Sequence, residues 1–430
     1  MSIALLDIND SNLQLWYGSD HLQSPGYALL LDKQYRFGNQ ARAAARLQPR
    51  DINTRFWWQL STEALQPALG PARHTGDLVH AQLQELHRAG GQPQEILMAV
   101  SGSMQRDQLA LLLGIVQQCP FAAVGLVNRS VALGSLYGVS GRLFHLEVQL
   151  HQSVITELGQ SNGEIQLKRT LPLPGAGLLQ VQEKLVEIIS TAFIRQTRFD
   201  PRRKALTEQH LYDALPDALR ALGHEGETNI EVNGYRARIN RAELQDAGTR
   251  LFESAQNAMG SLKPEDHVIA DPVAGLLPGL AERLPGLQLL EADSVRSALE
   301  QQMDSLVQRN QALSFVTALP SLAAAAPAPQ PEVVTPSPVP SPTAPAPAVE
   351  AKPAATHLLQ GSLAAPLAMA GTALDPGWEI FHTAAGWQLR GSGPAVLVNN
   401  SPLQPDQLLG GGDSLRIGDG PELQLIEVVS

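Results

Sequence analysis

The chain has 430 residues, 43% of them hydrophobic and 17% charged, long enough for two or three domains. With 31 Lys and Arg against 42 Asp and Glu, its net charge of −11 argues against a general nucleic-acid binder and against docking on anionic lipid. A single cysteine, Cys119, excludes an intramolecular disulfide, and the 11 histidines form no recognisable ligand cluster, so no metal is expected.

The N-terminus lacks a basic leader and meets Asp7 at once, so it reads poorly as a signal peptide. The longest apolar run breaks at Gln117-Gln118, short of the roughly 20 residues a membrane helix needs, and a cytoplasmic protein without membrane insertion is expected. The opening stretch IALLDINDSNLQLW predicts a buried strand Ile3–Asp7, a polar turn through Asn9, Asp10 and Ser11, and a second strand Leu13–Tyr17. A strand Tyr27–Leu31 and a helix over 38–47 follow. Trp57 and Trp58, beside Arg55 and Phe56, are candidate partner anchors, because aromatic and Arg side chains dominate interface hot spots; a packed loop is the other reading. Helices are expected over 75–90 and 104–119, with strands Ile96–Val100, Ala122–Val127, Leu143–Leu150 and Ile165–Leu171. Glu147, alternating with Leu146 and Val148, reads as the solvated face of its strand. After a helix over 178–197, the run from Arg195 to Lys204 holds five cations and one acid. Its Arg198, Arg202 and Arg203 are a candidate patch for an acidic partner, or else a solvated helix end.

Further helices are expected over 207–222, 240–260 and 294–313, with strands Ile230–Val232, Tyr235–Ile239 and Val268–Ala270. Asn240 followed by Glu243 is a capping-box pattern. Antiparallel pairs mixed with βα units predict an α/β domain over 1–320. Residues 323–356 hold ten prolines in 34 positions without an aromatic, Leu or Ile, so a disordered Pro/Ala linker is expected. Residues 357–430 break into short alternating runs between Gly, Pro, Asn and Asp turns. They predict a small all-β sandwich with Trp378, Ile380, Trp387, Leu389, Val396, Val398, Leu415, Ile417, Leu423, Leu425 and Ile426 in its core.

Three stretches, in order, resemble the actin and heat-shock-chaperone (DnaK-type) ATPase superfamily: IALLDINDSNLQLW, PQEILMAVSGSMQRDQLALLLGIVQQCPFAAVGLVNRSVALGSLYG, and HVIADPVAGLLPGLAERLPGLQL. The resemblance implies two α/β lobes around a nucleotide cleft. It also implies that Asp7, Asn9, Asp10 and Ser11 stand at the first phosphate loop, Glu147 and Gln149 at the second, and Asp271 and Gly275 at the adenosine segment. The same comparison marks four departures. Asn9 and Asp10 replace glycine where a phosphate must approach bare backbone, and no glycine remains after Glu147. Arg129 takes the place of a glutamate, and Asp271-Pro272 that of Gly-Gly.

The stretch VLVNNSPLQPDQLLGGGDSLRIG resembles the closing strands of forkhead-associated domains through Val398, Asn399, Leu408, Leu409, Gly412, Asp413, Leu415, Ile417 and Gly418. The phosphothreonine-reading Gly-Arg pair and Ser-x-x-His have no counterpart. Taken together, the resemblances imply a catalytically silent, actin-fold scaffold for protein–protein assembly, with a tethered β-module and no cofactor. The alternative is a divergent ATP-binding ATPase that uses Mg·ATP in the cleft.

Overall fold

The computed structural model describes residues 3–138, 140–309 and 312–322, and residues 355–426 except 361–362, 369–370, 375–376, 384–385, 400, 405–406, 419 and 421–422. The chain divides into two units, Met1–Pro331 and Glu332–Ser430. The predicted linker lies outside the described residues except for Ala355 and Thr356.

The first unit is α/β and is built around two sheets of one design. In the first, β1 (Ala4–Ile8), β2 (Leu13–Tyr17) and β3 (Asp20–Ser24) form an antiparallel meander. After α1 (Thr75–Ala89), β4 (Glu95–Val100) pairs parallel with β1. After α2 (Arg106–Val116), β5 (Ala122–Asn128) pairs parallel with β4. With the short strand Phe315–Val316 pairing parallel beyond β5, the order β5-β4-β1-β2-β3 leaves β1 inside the sheet and buried at every position, which is why ALLDI reads as a continuous apolar run interrupted only by Asp7.

A short helix, α3 (Arg129–Gly134), leads to the second sheet. There β6 (Arg142–Val148), β7 (Gln152–Ser161) and β8 (Glu164–Pro174) repeat the antiparallel meander. Two long helices follow, α4 (Leu178–Thr197) and α5 (Ala205–Glu225), and then β9 (His267–Ala270) pairs parallel with β6. One apolar cluster joins the two sheets, with Leu5, Leu97, Ala99 and Val127 of the first meeting Leu143, Leu158 and Ile269 of the second.

Several expectations need correction. The predicted strand Leu143–Leu150 ends at Val148, because the chain turns there into β7. The helix expected over 38–47 is helical only at Gly38–Arg42. That over 240–260 is split by a 3₁₀ turn at Gln245–Gly248. The one over 294–313 breaks at Gln302, a buried residue whose side-chain amide donates to the Pro320 carbonyl at 2.6 Å, and ends at Leu306; residues 310–311 of it lie outside the described residues. Among the described residues, no helix is long and apolar enough to cross a membrane.

The N-terminus of α4 fixes the β6–β7 turn. The Leu178 and Leu179 amides, orphan donors at a helix start, donate to the carbonyls of Gln149 (2.8 Å) and Leu150 (3.0 Å). This approach requires Gly177, whose added Cβ would stand 2.5 Å from both Gln152 N and Leu150 O. Neither backbone atom can yield as a flexible side chain would. Gly177→Ala is expected to cost roughly 1–3 kcal/mol of stability, read as a lower urea midpoint.

In the second unit, described strands form one sheet of six and one of three. Of the predicted core, Ile380, Trp387, Val396, Val398, Leu415, Ile417, Leu423 and Leu425 are buried together, with Trp378 and Leu389 packed at the edge. Ile426 is only half-buried, whereas Ala355, Leu358, Leu374 and Leu409 join the core unforeseen. Ala355 accepts from the Trp387 indole at 2.9 Å, so the predicted linker ends before it. Asn399 and Asp413 clasp one turn, Asn399 Nδ2 donating to Asp413 Oδ1 at 2.8 Å.

Candidate functional site

Strand alternation places the first two acids. In β1, Leu5 and Asp7 face the apolar cluster shared by the sheets, while Ala4, Leu6 and Ile8 face the other core. In β6, Leu143, His145 and Glu147 take the face opposite Phe144, Leu146 and Val148. Asp7, His145 and Glu147 are all fully buried, so Glu147 is not on a solvated face. Asp271 follows β9 directly and is also buried, its amide donating to the Leu146 carbonyl at 3.2 Å.

Arg129 comes to the same place from the first turn of α3. Asn128 caps that helix, its Oδ1 accepting from Val131 N at 3.1 Å. The Arg129 guanidinium donates to Asp7 through two nitrogens at 2.7 and 3.2 Å, and to Asp271 Oδ1 at 2.7 Å. Glu147 Oε2 lies 3.9 Å from Arg129 Nη1 and has no hydrogen-bond partner. Ser130 Oγ and His145 Nδ1 are 2.8 Å apart, and His145 Nε2 stands 3.4 Å from Asp271 without hydrogen-bond alignment.

One buried guanidinium thus faces three buried carboxyl groups. Burial works to lower the Arg129 pKa, but the charges of Asp271, Asp7 and Glu147 outweigh it and hold the guanidinium protonated. Burial pushes Asp271 up as well, yet Arg129, helped by His145, overcomes this and holds its carboxyl down at about 2. Glu147 and Asp7 are both raised, burial being a larger influence in each than the opposing pull of Arg129.

Two loops close over this cluster. Asn9 Nδ2 donates to Asp271 Oδ2 at 3.1 Å and to the Val148 carbonyl at 3.4 Å, while its Oδ1 accepts from Ser11 N and Oγ at 3.0 Å. Asp10 Oδ1 accepts from Leu150 N at 2.8 Å. The first turn therefore bonds directly to the β6–β7 turn. Gln149 completes the seam, donating to Glu147 Oε1 at 2.8 Å and Ser101 Oγ at 2.9 Å, and accepting from Gln152 Nε2 at 2.8 Å. Cavities of about 310 Å³ on the Asp10 side and about 180 Å³ beside Asn9, Arg129 and Asp271 border it.

Of the eight residues expected at the cleft, seven converge. Gly275 does not: it is exposed in the 3₁₀ turn Pro272–Leu276, against Leu289. Trp57 is corrected as a partner anchor, since it is 4% exposed and its indole N–H donates to Gln82 Oε1 at 2.7 Å. Trp58 is half-buried and stacks on His151, ring centres 5.2 Å apart. Arg198, Arg202 and Arg203 are exposed, far along the chain from the seam, and make no ion pair among the described residues. His145, Ser101 and Gln152 were not foreseen; the only sequence signal is polar residues at alternate positions, which a solvated strand shows equally. Among the described residues, no group of three or more His, Cys, Asp or Glu is placed to hold a metal ion. No protein-family model matches this chain, and no curated protein matches it.

Proposed function

We propose that residues 1–320 form a catalytically degenerate, actin-like two-lobed domain that serves protein–protein assembly, with 357–430 as a tethered, forkhead-associated-like second binding surface. The carrying observation is Arg129. Its guanidinium bridges Asp7 and Asp271 at 2.7 Å each, in the place where the resemblance would set a nucleotide's metal and phosphates. The strand order repeated in the two sheets supports the two-lobed reading.

The residues present do not fit Mg·ATP. A phosphate cradle needs free backbone amides and unspent acids on the metal side. Here the Leu150 amide is taken by Asp10, whose carboxylate would also face a polyphosphate. Asp7 and Asp271 already hold a cation of the chain's own. Assembly is then the role left to the fold, and two binding surfaces on one chain would raise effective concentration without new chemistry.

Titration calorimetry of the full chain with ATP and Mg²⁺ tests the reading. The expected result is no binding tighter than about 1 mM and no phosphate release. Low-micromolar binding with turnover would favour the chaperone-like ATPase and overturn it.

A further inference from the structure

The cavity on the Asp10 side has a wall of unusual chemistry for a region that resembles a phosphate site. It lies beyond the carboxyl ends of β1 and β4, where Ile8 and Ser101 line it, the position at which open α/β sheets take their ligands. Its volume of about 310 Å³ suits a small molecule. Among the described residues that line it there is one carboxylate, Asp10, and no Arg, Lys or His. Trp57 and Trp58 supply indoles, and Gln149 and Gln152 supply amides fixed by their hydrogen bond to each other.

We infer that this cavity binds a small organic cation, with a primary ammonium on the Asp10 carboxylate and its body against the indoles of Trp57 and Trp58. Three observations select that class. An anion would meet a carboxylate and find no counter-charge in the wall. A neutral polyol would find amides and hydroxyls but leave Asp10 without an ionic partner. The buried cation Arg129 is committed to Asp7 and Asp271. An ammonium supplies the missing charge, and an indole face attracts it further. One face of Trp58 is already covered by His151, which holds the ring in place as part of the wall. Burial holds the Asp10 carboxyl up at about 7, consistent with an acid that lacks a cation. The inference needs only the cavity and stands apart from the assembly role.

Tyramine is the probe, with 4-ethylphenol as the same skeleton without its ammonium, glucose as the neutral polyol and ATP as the anion. Calorimetry on the full chain at neutral pH is expected to show saturable binding of one tyramine, with 4-ethylphenol weaker by about tenfold or more. Asp10→Asn keeps the acceptor for Leu150 N–H and is expected to lose about tenfold in tyramine affinity. Trp58→Ala, at a half-buried position, gives a second variant with a similar loss, its fold checked by circular dichroism. Equal binding of tyramine and 4-ethylphenol, glucose binding without tyramine binding, or no tyramine binding up to about 10 mM would each overturn the inference.

Discussion

Arg129→Met is expected to destabilise the first unit by roughly 3–5 kcal/mol, enough to unfold a marginal domain outright. The methionine fills much of the same space, so the loss is electrostatic. Asp7 and Asp271 lose charge-assisted bonds at 2.7 Å, and three buried carboxyls are left with no guanidinium. Burial then favours their protonated forms, so the variant should recover stability as pH falls, opposite to the loss seen when an intact ion pair is acidified. A triple variant that adds Asp7→Asn and Asp271→Asn removes the stranded charges and is expected to regain most of the loss. Urea unfolding at pH 5 and pH 8 measures all three proteins. A change of less than about 1 kcal/mol in Arg129→Met would mean that the cluster is hydrated and weak, and the argument for a self-filled site would fall with it.

Asp10→Asn is expected to stabilise the chain, and only at high pH. In the unfolded chain this carboxyl titrates near 3.8; in the folded chain burial, partly opposed by the Leu150 and Ser11 amides, raises it to about 7. Below pH 3.8 both states are protonated and the effect is absent. Between these values the unfolded chain releases its proton while the folded chain keeps it, so stability falls as pH rises. At about 1.4 kcal/mol per unit, the full penalty is on the order of 4 kcal/mol once pH passes the folded value. Asparagine retains the acceptor for Leu150 and carries no proton to lose. Wild type and variant should therefore match near pH 4 and diverge by pH 8, measured as urea midpoints. A difference independent of pH would show that Asp10 does not ionise within this window.

Much of this is legible in the sequence, and the unreadable part has a physical cause. The β1–β2 hairpin, the parallel strands β4 and β5, and the apolar face of α1 follow from local periodicity, which the chain carries in short windows. Asp7, Arg129, Glu147 and Asp271 stood out because they fall at, or depart from, motif positions. What those positions do to one another was hidden. The bonds from Arg129 span 122 residues to Asp7 and 142 to Asp271, and no local pattern encodes a pairing at that distance. Glu147 shows a further limit, because period-2 alternation marks two faces of a strand without saying which one meets water. The burial of Trp57 has a local sign in the sequence. Gln82 sits among Leu78, Val79, Leu83 and Leu86 on the buried side of α1, and a lone amide in an apolar stripe implies a buried partner, here the Trp57 indole.

The bond between Asp10 and Leu150, with that from Asn9 to Val148, has one more consequence. In clefted proteins the jaws ordinarily shut on a guest, and the guest's departure lets them reopen. Here the clasp is made of the chain's own atoms. Holding these two turns together therefore requires no bound guest.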